Sequence, residues 1–335
     1  MNFRTLADIE PALRRLLPAV PRDVDVVVGI PRSGMLVACP LALYLNKPVT
    51  DLEGFLDGRL IRSGRRPVLM PGGAAAEAEP AADDAAYLSA CRRALIVDDC
   101  VGNGTQLRAV QARLGDIQAR GGLPCPVTYA AAFTTPDGAE LLDLHGEVVG
   151  WPQCFQWNIM QHPDYLSRSC LDMDGVLCVN PTRDQDDDGP RYDAFLEQAS
   201  PLFTPTVELG AIVTSRPEFK RPQTQAWLER HGIRCRELLM LPGERFLPRA
   251  QRHEAGIRHK VNAYRRLDSL LFIESDLPIA VEIANRSGRP VLAVDAQELV
   301  MPGRTARAVL ARRTPRQLLR AARRRVRRAR QAVTR

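Results

Sequence analysis

Two stretches of the chain gather the residue types that handle phosphate. In Ala94–Leu107 (ALIVDDCVGNGTQL) an apolar run ends in Asp98 and Asp99, and Gly102, Asn103, Gly104, Thr105 and Gln106 then open a helical pattern. Glycines let the backbone turn tightly enough for successive N–H groups to aim at one anion, and a following helix N-terminus adds a favourable dipole. The two acids are placed to accept hydrogen bonds from vicinal hydroxyls. Phosphate beside a diol describes a ribose 5-phosphate. The competing reading is an ordinary surface strand–turn–helix corner that carries an acidic pair.

The second set is spread over more of the chain. CLDMDGVLC (Cys170–Cys178) puts Asp172 and Asp174 two apart at a strand end, and AIVTSRP (Ala211–Pro217) puts Thr214 and Ser215 at the end of the next. Lys260 stands at a helix-like start, and LFIESD (Leu271–Asp276) supplies Glu274 and Asp276. These types suit metal-assisted phosphoryl transfer. One carboxylate attacks phosphorus while its neighbour handles the leaving-group proton. A hydroxyl and an ammonium hold phosphate oxygens, and further acids hold Mg²⁺. Only three lysines, Lys47, Lys220 and Lys260, occur among 46 basic residues. A lysine retained in so Arg-rich a chain favours a role that arginine cannot fill.

Positioning these residues takes an α/β framework. Residues 24–30 (VDVVVGI), Ala94–Val97 and Val127–Phe133 read as buried strands, with helical patterns at Met35–Leu45 and through Ala119. The polar, Gly- and Ala-rich Gly54–Ala90 reads as a long loop or hood. The alternation then restarts, with strands at Cys170–Asp172, Glu208–Val213, Leu270–Ile273 and Pro290–Val294, and helices at Gln223–His231 and Pro278–Ser287. Strands alternating with helices predict parallel α/β sheets. The expected organisation is two Rossmann-like domains in tandem, residues 1–150 and 169–303, joined by a linker, 151–168, and followed by a basic tail, 304–335.

The first stretch resembles the PRPP-binding signature of type I phosphoribosyltransferases. The resemblance extends to GIPRSGMLVA (Gly29–Ala38), similar to that family's pyrophosphate loop, and covers roughly residues 20–150. It implies that Pro31, Arg32, Ser33 and Gly34 hold the leaving diphosphate with Mg²⁺. It also implies that Arg59, Arg62, Arg65 or Arg66 of the hood close on it. Asn103 and Gln106 depart from the hydroxyl residues the family carries there, so the backbone donors are kept while side-chain contacts to the 5-phosphate change. Residues 170–276 resemble the four motifs of haloacid dehalogenase-like (HAD) phosphatases. That resemblance implies Asp172 as nucleophile, Asp174 as general acid/base, and Thr214 and Lys260 as phosphoryl stabilisers. Asp276, with Glu274, would complete Mg²⁺ binding alongside Asp172 and Asp174. The intervals between motifs leave no room for a large cap domain, which implies an open site suited to a bulky phosphorylated substrate.

Composition frames these expectations. The 335 residues are 45% hydrophobic and 25% charged, as in globular chains. The net charge of +7 is uneven: Arg304–Arg335 holds thirteen arginines and no acid, leaving the remainder at −6. Leu318, Ala322, Val326, Ala329 and Val333 form an apolar stripe in that tail, as expected of a helix lying on an anionic membrane surface, with nucleic acid and a solvated tail as the other readings. Eight cysteines without a C-x-x-C pair read as reduced thiols, and the N-terminus has no apolar leader, so the expected location is cytoplasmic. Together these features predict a bifunctional enzyme. It transfers 5-phosphoribosyl from PRPP to a hydroxyl acceptor, expected to be a lipid-linked or polymeric bacterial glycan, and then removes the 5-phosphate. The alternatives are an enzyme making a nucleoside-like metabolite and a PRPP-sensing regulator binding nucleic acid through the tail.

Overall fold

Continuous apolar runs become central strands here because strands inside a parallel sheet are buried on both faces. The structure, a computed structural model, describes residues 1–61, 71 and 83–310. It divides into two compact units, Met1–Asn158 and Ile159–Arg335.

The first unit opens with β1 (Asn2–Arg4), α1 (Leu6–Leu16), β2 (Val26–Gly29), α2 (Met35–Leu45), β3 (Val49–Asp51) and α3 (Leu52–Leu56). Next among the described residues come α4 (Asp84–Ser89), a helix inside the stretch Gly54–Ala90 that the sequence reads as a loop, and β4 (Ala94–Val101), α5 (Thr105–Ala119), β5 (Val127–Thr134), α6 (Pro136–Ala139), β6 (Leu144–Val148) and β7 (Gln153–Phe155). Five strands form a parallel sheet in the order β3-β2-β4-β5-β6. One face packs Val27, Leu95 and Val97 against Leu13 of α1 and Leu41 of α2. The other packs Val28 and Ile96 against Phe55, Leu88, Leu107 and Val110 of α3, α4 and α5. Strand β7 pairs with β1, so part of the expected 151–168 linker is a strand of the first unit. Its apolar Cys154 and Phe155 are buried, which a solvated linker would not require.

The second unit runs α7 (Pro163–Leu166), β8 (Ser169–Leu171), α8 (Pro190–Gln198), β9 (Leu209–Pro217), α9 (Arg221–Arg230) and β10 (Cys235–Leu241). It continues with α10 (Arg249–Arg266), β11 (Leu271–Glu274), α11 (Leu277–Ser287), β12 (Val291–Ala293), β13 (Glu298–Val300) and α12 (Ala306–Leu310). The sheet order is β10-β9-β8-β11-β12-β13, parallel except for the antiparallel β13. One face packs Val213 and Phe272 against Ile257, Val261 and Tyr264 of α10 and Ala280 and Ala284 of α11. Only α8 separates β8 from β9, and a 3-10 turn at Glu218–Lys220 with α9 separates β9 from β10. Both units are thus mixed α/β with parallel sheets, as the alternation predicts. Among the described residues no helix is long and apolar enough to cross a membrane. The tail stripe from Leu318 to Val333 lies outside the described residues, as do Arg62, Arg65 and Arg66.

Candidate functional site

In the first unit the residues singled out for phosphate and ribose contacts gather at the carboxyl ends of β2 and β4, the end at which open parallel sheets bind ligands. The sequence pattern ended β4 at Val97. The strand instead continues to Val101 and carries Asp98 and Asp99 within it, because β5 runs alongside and supplies partners for Asp98, Cys100 and Val101. Both acids are buried. Asp98 Oδ1 accepts the Asp99 N–H at 2.8 Å, and Asp99 Oδ2 accepts the indole N–H of Trp157 at 2.6 Å. Burial, and then the adjacent Asp99 charge, hold the Asp98 carboxyl well above the usual carboxylate range. Trp157 in turn lies against Phe155 and Phe133 with the ring planes tilted, at centroid distances of 5.2 and 6.1 Å. Sequence reasoning missed this residue, since nothing local links Trp157 to a strand 58 positions earlier.

The turn after β4 is built for close approach. Gly104 sits at φ +76°, where a side chain would be strained and would collide with Leu141. Asn103 Oδ1 accepts the Thr105 N–H at 3.1 Å, and Arg108 donates to the Asn103 carbonyl at 2.8 Å. Thr135 donates to the Gly102 carbonyl at 2.7 Å and braces the turn from the next connection. Asn103, Thr105 and Gln106 are exposed. The Gly29–Met35 turn lies next to it. Gly34 is pressed against the Ile30 and Val97 carbonyls, with no space for a Cβ. Pro31 and Arg32 are exposed, Ser33 is half-buried, and Arg32 reaches Asn158 Oδ1 at 3.4 Å. Arg59 is paired with Asp57 at 2.8 Å.

In the second unit three strand ends and one helix converge. Lys260 Nζ lies 2.8 Å from Asp172 Oδ2 at the end of β8 and 2.8 Å from Glu274 Oε2 at the end of β11. All three side chains are less than a tenth exposed. The sequence pattern put Lys260 at a helix start. It sits in the middle of the 18-residue α10, where the apolar face of Ile257, Val261 and Tyr264 carries it into the core. Burial and the charge of Glu274 push the Asp172 carboxyl up against the pull of Lys260. Burial lowers and the two carboxylates raise the Lys260 ammonium; the carboxylates win, so it stays charged. The remaining oxygens are also engaged: Asp172 Oδ1 accepts the Met173 N–H, and Glu274 Oε1 accepts the Ser275 N–H.

Asp276 does not join this group. It is exposed and caps α11, accepting the Ile279 N–H at 3.1 Å, so Glu274 is the acid that β11 contributes. Asp174 faces Arg216 of β9, whose Nη2 lies 2.6 Å from Oδ1 and whose Nε lies 3.1 Å from Oδ2. Thr214 is buried and accepts the Arg216 backbone N–H at 3.2 Å, whereas Ser215 is exposed. Arg216 was missed because it is one of many arginines. The signal for it was its place in the strand-end motif beside Thr214. Among the described residues no cluster of three or more His, Cys, Asp or Glu side chains is arranged to hold a metal ion.

The sequence matches no protein-family model, and no curated protein sequence matches it. Solved structures do resemble it. The purine phosphoribosyltransferase from Pyrococcus horikoshii is similar over 47% of this chain and 92% of its own, at 20% identity and a TM-score of 0.29. The Helicobacter pylori xanthine-guanine-hypoxanthine phosphoribosyltransferase is similar over 47% and 95%, at 15% identity and a TM-score of 0.29. The adenine phosphoribosyltransferase from Thermoanaerobacter pseudethanolicus is similar over 44% and 78%, at 18% identity and a TM-score of 0.24.

Proposed function

We propose that the chain is a bifunctional enzyme. The first unit transfers 5-phosphoribosyl from PRPP to an acceptor hydroxyl, and the second unit hydrolyses the 5-phosphate to leave a ribofuranosyl group. The observation that carries this reading is the buried Asp172–Lys260–Glu274 group: two carboxylates from separate strand ends share one ammonium at 2.8 Å each. A chain whose other sheet ends in a glycine turn and two buried acids then pairs a sugar-phosphate site with a phosphate-removing one.

In the first step the acceptor oxygen bonds to the anomeric carbon as its bond to pyrophosphate breaks. The turns at Gly29–Met35 and Gly102–Thr105 supply N–H donors for the two phosphate groups, and Asp98 and Asp99 address the ribose hydroxyls. In the second step Asp172 attacks phosphorus and Asp174 gives its proton to the departing oxygen. Water then splits the aspartyl phosphate, with Asp174 taking the proton back. Thr214 and Lys260 serve the phosphoryl oxygens. Asp172 and Glu274 offer only oxygen donors, the chemistry a hard cation takes, so they are the residues that would hold Mg²⁺ in this unit once they exchanged contacts to Lys260 and the backbone for it; bound there, the ion would neutralise charge on the transferring phosphoryl group.

Removing the phosphate would undo a nucleotide, so the tandem suits a product wanted as a bare ribofuranosyl group. That favours a lipid-linked or polymeric bacterial glycan as acceptor, with the arginine-rich tail holding the enzyme near an anionic membrane. The half-buried Trp157 beside Asp99 favours a second reading, a planar nucleobase-like acceptor stacked on the indole. Incubation with PRPP, Mg²⁺ and panels of glycan and nucleobase acceptors separates the two. The bifunctional reading fails if no acceptor releases both pyrophosphate and phosphate.

A further inference from the structure

Arg216 is an unusual residue to find inside a domain. Its side chain is wholly buried, yet its charged partner Asp174 is 21% exposed on the side chain. The guanidinium grips Asp174 with two prongs, through Nη2 to Oδ1 and Nε to Oδ2. Every other contact anchors it. Nη2 donates to Cys178 Sγ at 3.3 Å, Nη1 lies 3.5 Å from Thr224 Oγ1 on α9, and the group sits 5.6 Å from the centroid of Phe195 on α8. Its backbone N–H reaches Thr214 Oγ1. Asp174 receives one further hydrogen bond, from the Cys178 thiol at 3.3 Å.

A buried ion pair is a poor way to gain stability, because well-packed apolar residues of similar volume serve as well or better. What a planar guanidinium does provide is a fixed plane and orientation for one carboxylate. With no exposed surface of its own, Arg216 cannot touch a phosphate from solvent, so it acts through Asp174. We propose that Arg216 is the positioning residue of the phosphatase site, fixing the Asp174 carboxyl so that it can pass its proton to the departing oxygen. The proposal rests on the phosphatase reading of Asp172 and Asp174.

The test uses the full chain with Mg²⁺ and two probes, ribose 5-phosphate and p-nitrophenyl phosphate. A sugar alkoxide needs a proton to leave, whereas p-nitrophenolate hardly does, and kcat/KM reports the steps through leaving-group departure. Arg216→Gln should lower kcat/KM for ribose 5-phosphate at least about tenfold more than for p-nitrophenyl phosphate. On an Asp174→Asn background it should cause no further loss, because both changes remove the same function. Equal losses on the two probes, or losses that multiply in the double variant, would overturn the role. If Arg216→Gln fails to fold, Arg216→Lys keeps the charge, removes the two-pronged grip and is held to the same criterion. A wild type whose phosphate release does not depend on Asp172, checked with Asp172→Asn, overturns the phosphatase reading and this inference together. An active wild type with equal losses overturns the inference alone.

Discussion

Replacing Lys260 with methionine removes the cation from the Asp172–Glu274 pair while keeping most of the side-chain volume. Two carboxylates with side chains 8% and 0% exposed are then left facing one another without a counter-charge. Stripping one partner from a buried ion pair costs about 3–5 kcal/mol. At a urea slope of roughly 2 kcal/mol/M, that moves the unfolding midpoint of the second unit down by about 1.5–2.5 M. Trp227, fully buried on α9, reports that unit cleanly once Trp151 and Trp157 are phenylalanine. The sign of the pH dependence follows from Asp172. Its folded-state pKa is raised by burial and by Glu274, and loss of Lys260 raises it further, so the folded variant takes up a proton as pH falls. The deficit seen at neutral pH should therefore shrink toward the ordinary carboxylate range, and Glu274→Gln added to Lys260→Met should recover part of it. A midpoint within about 0.5 M of the parent at pH 7 would refute the claim that Lys260 neutralises a buried carboxylate pair.

Other consequences are equally accessible. Trp157→Phe keeps the ring contacts but removes the N–H donor to Asp99, and PRPP affinity measured by calorimetry should fall about tenfold, as for the loss of one hydrogen bond; unchanged affinity would show that Trp157 has no part in binding PRPP. Asp25 is fully buried, and although burial opposes ionisation, Arg92 and Lys47 hold its carboxyl down at about 2. It therefore adds stability above the unfolded carboxylate pKa that is lost as pH falls through the folded value. Asp25→Asn should cost on the order of 1–2 kcal/mol at neutral pH, discounted for the solvent that reaches Arg92, and should flatten the acid limb of the first unit's unfolding curve. Deleting residues 311–335 should abolish salt-sensitive sedimentation with anionic vesicles and leave pyrophosphate release in solution intact; vesicle binding that survives the deletion would remove the tail from the account.

The central strands could be read from the sequence because they are buried on both sides: β2, β4, β5, β9 and β11 each take up an apolar run, although β4 extends past its run to Val101 and β9 past its run to Pro217. The glycine turn of Gly102–Gly104 and the start of α2 at Met35 were equally visible. What escaped lies at edges or depends on distant partners. Strand β10, Cys235–Leu241, is an edge strand that opens on exposed Arg236 and Glu237, so its apolar run is short, Leu238–Leu241, and only Met240 of it is buried. Strands β1 and β7 are short and pair across about 150 residues of chain. Helix α10 is so rich in Arg and His that only its narrow Ile257–Tyr264 stripe betrays its length. At the sites, residue types identified Asp172, Lys260 and Glu274 as candidates, but only the fold puts Lys260 2.8 Å from each acid and sends Asp276 to a helix cap. Trp157 and Arg216 each hold an acid that local pattern had singled out, through contacts that no local pattern encodes.

The central claim, that one chain attaches ribose 5-phosphate and then removes its phosphate, is tested most directly by mass spectrometry of the acceptor after reaction with PRPP and Mg²⁺. Wild-type protein should yield an acceptor heavier by a pentosyl group, and Asp172→Asn an acceptor heavier by a phosphopentosyl group. The same product from both proteins, or no pentose on any acceptor, would contradict it.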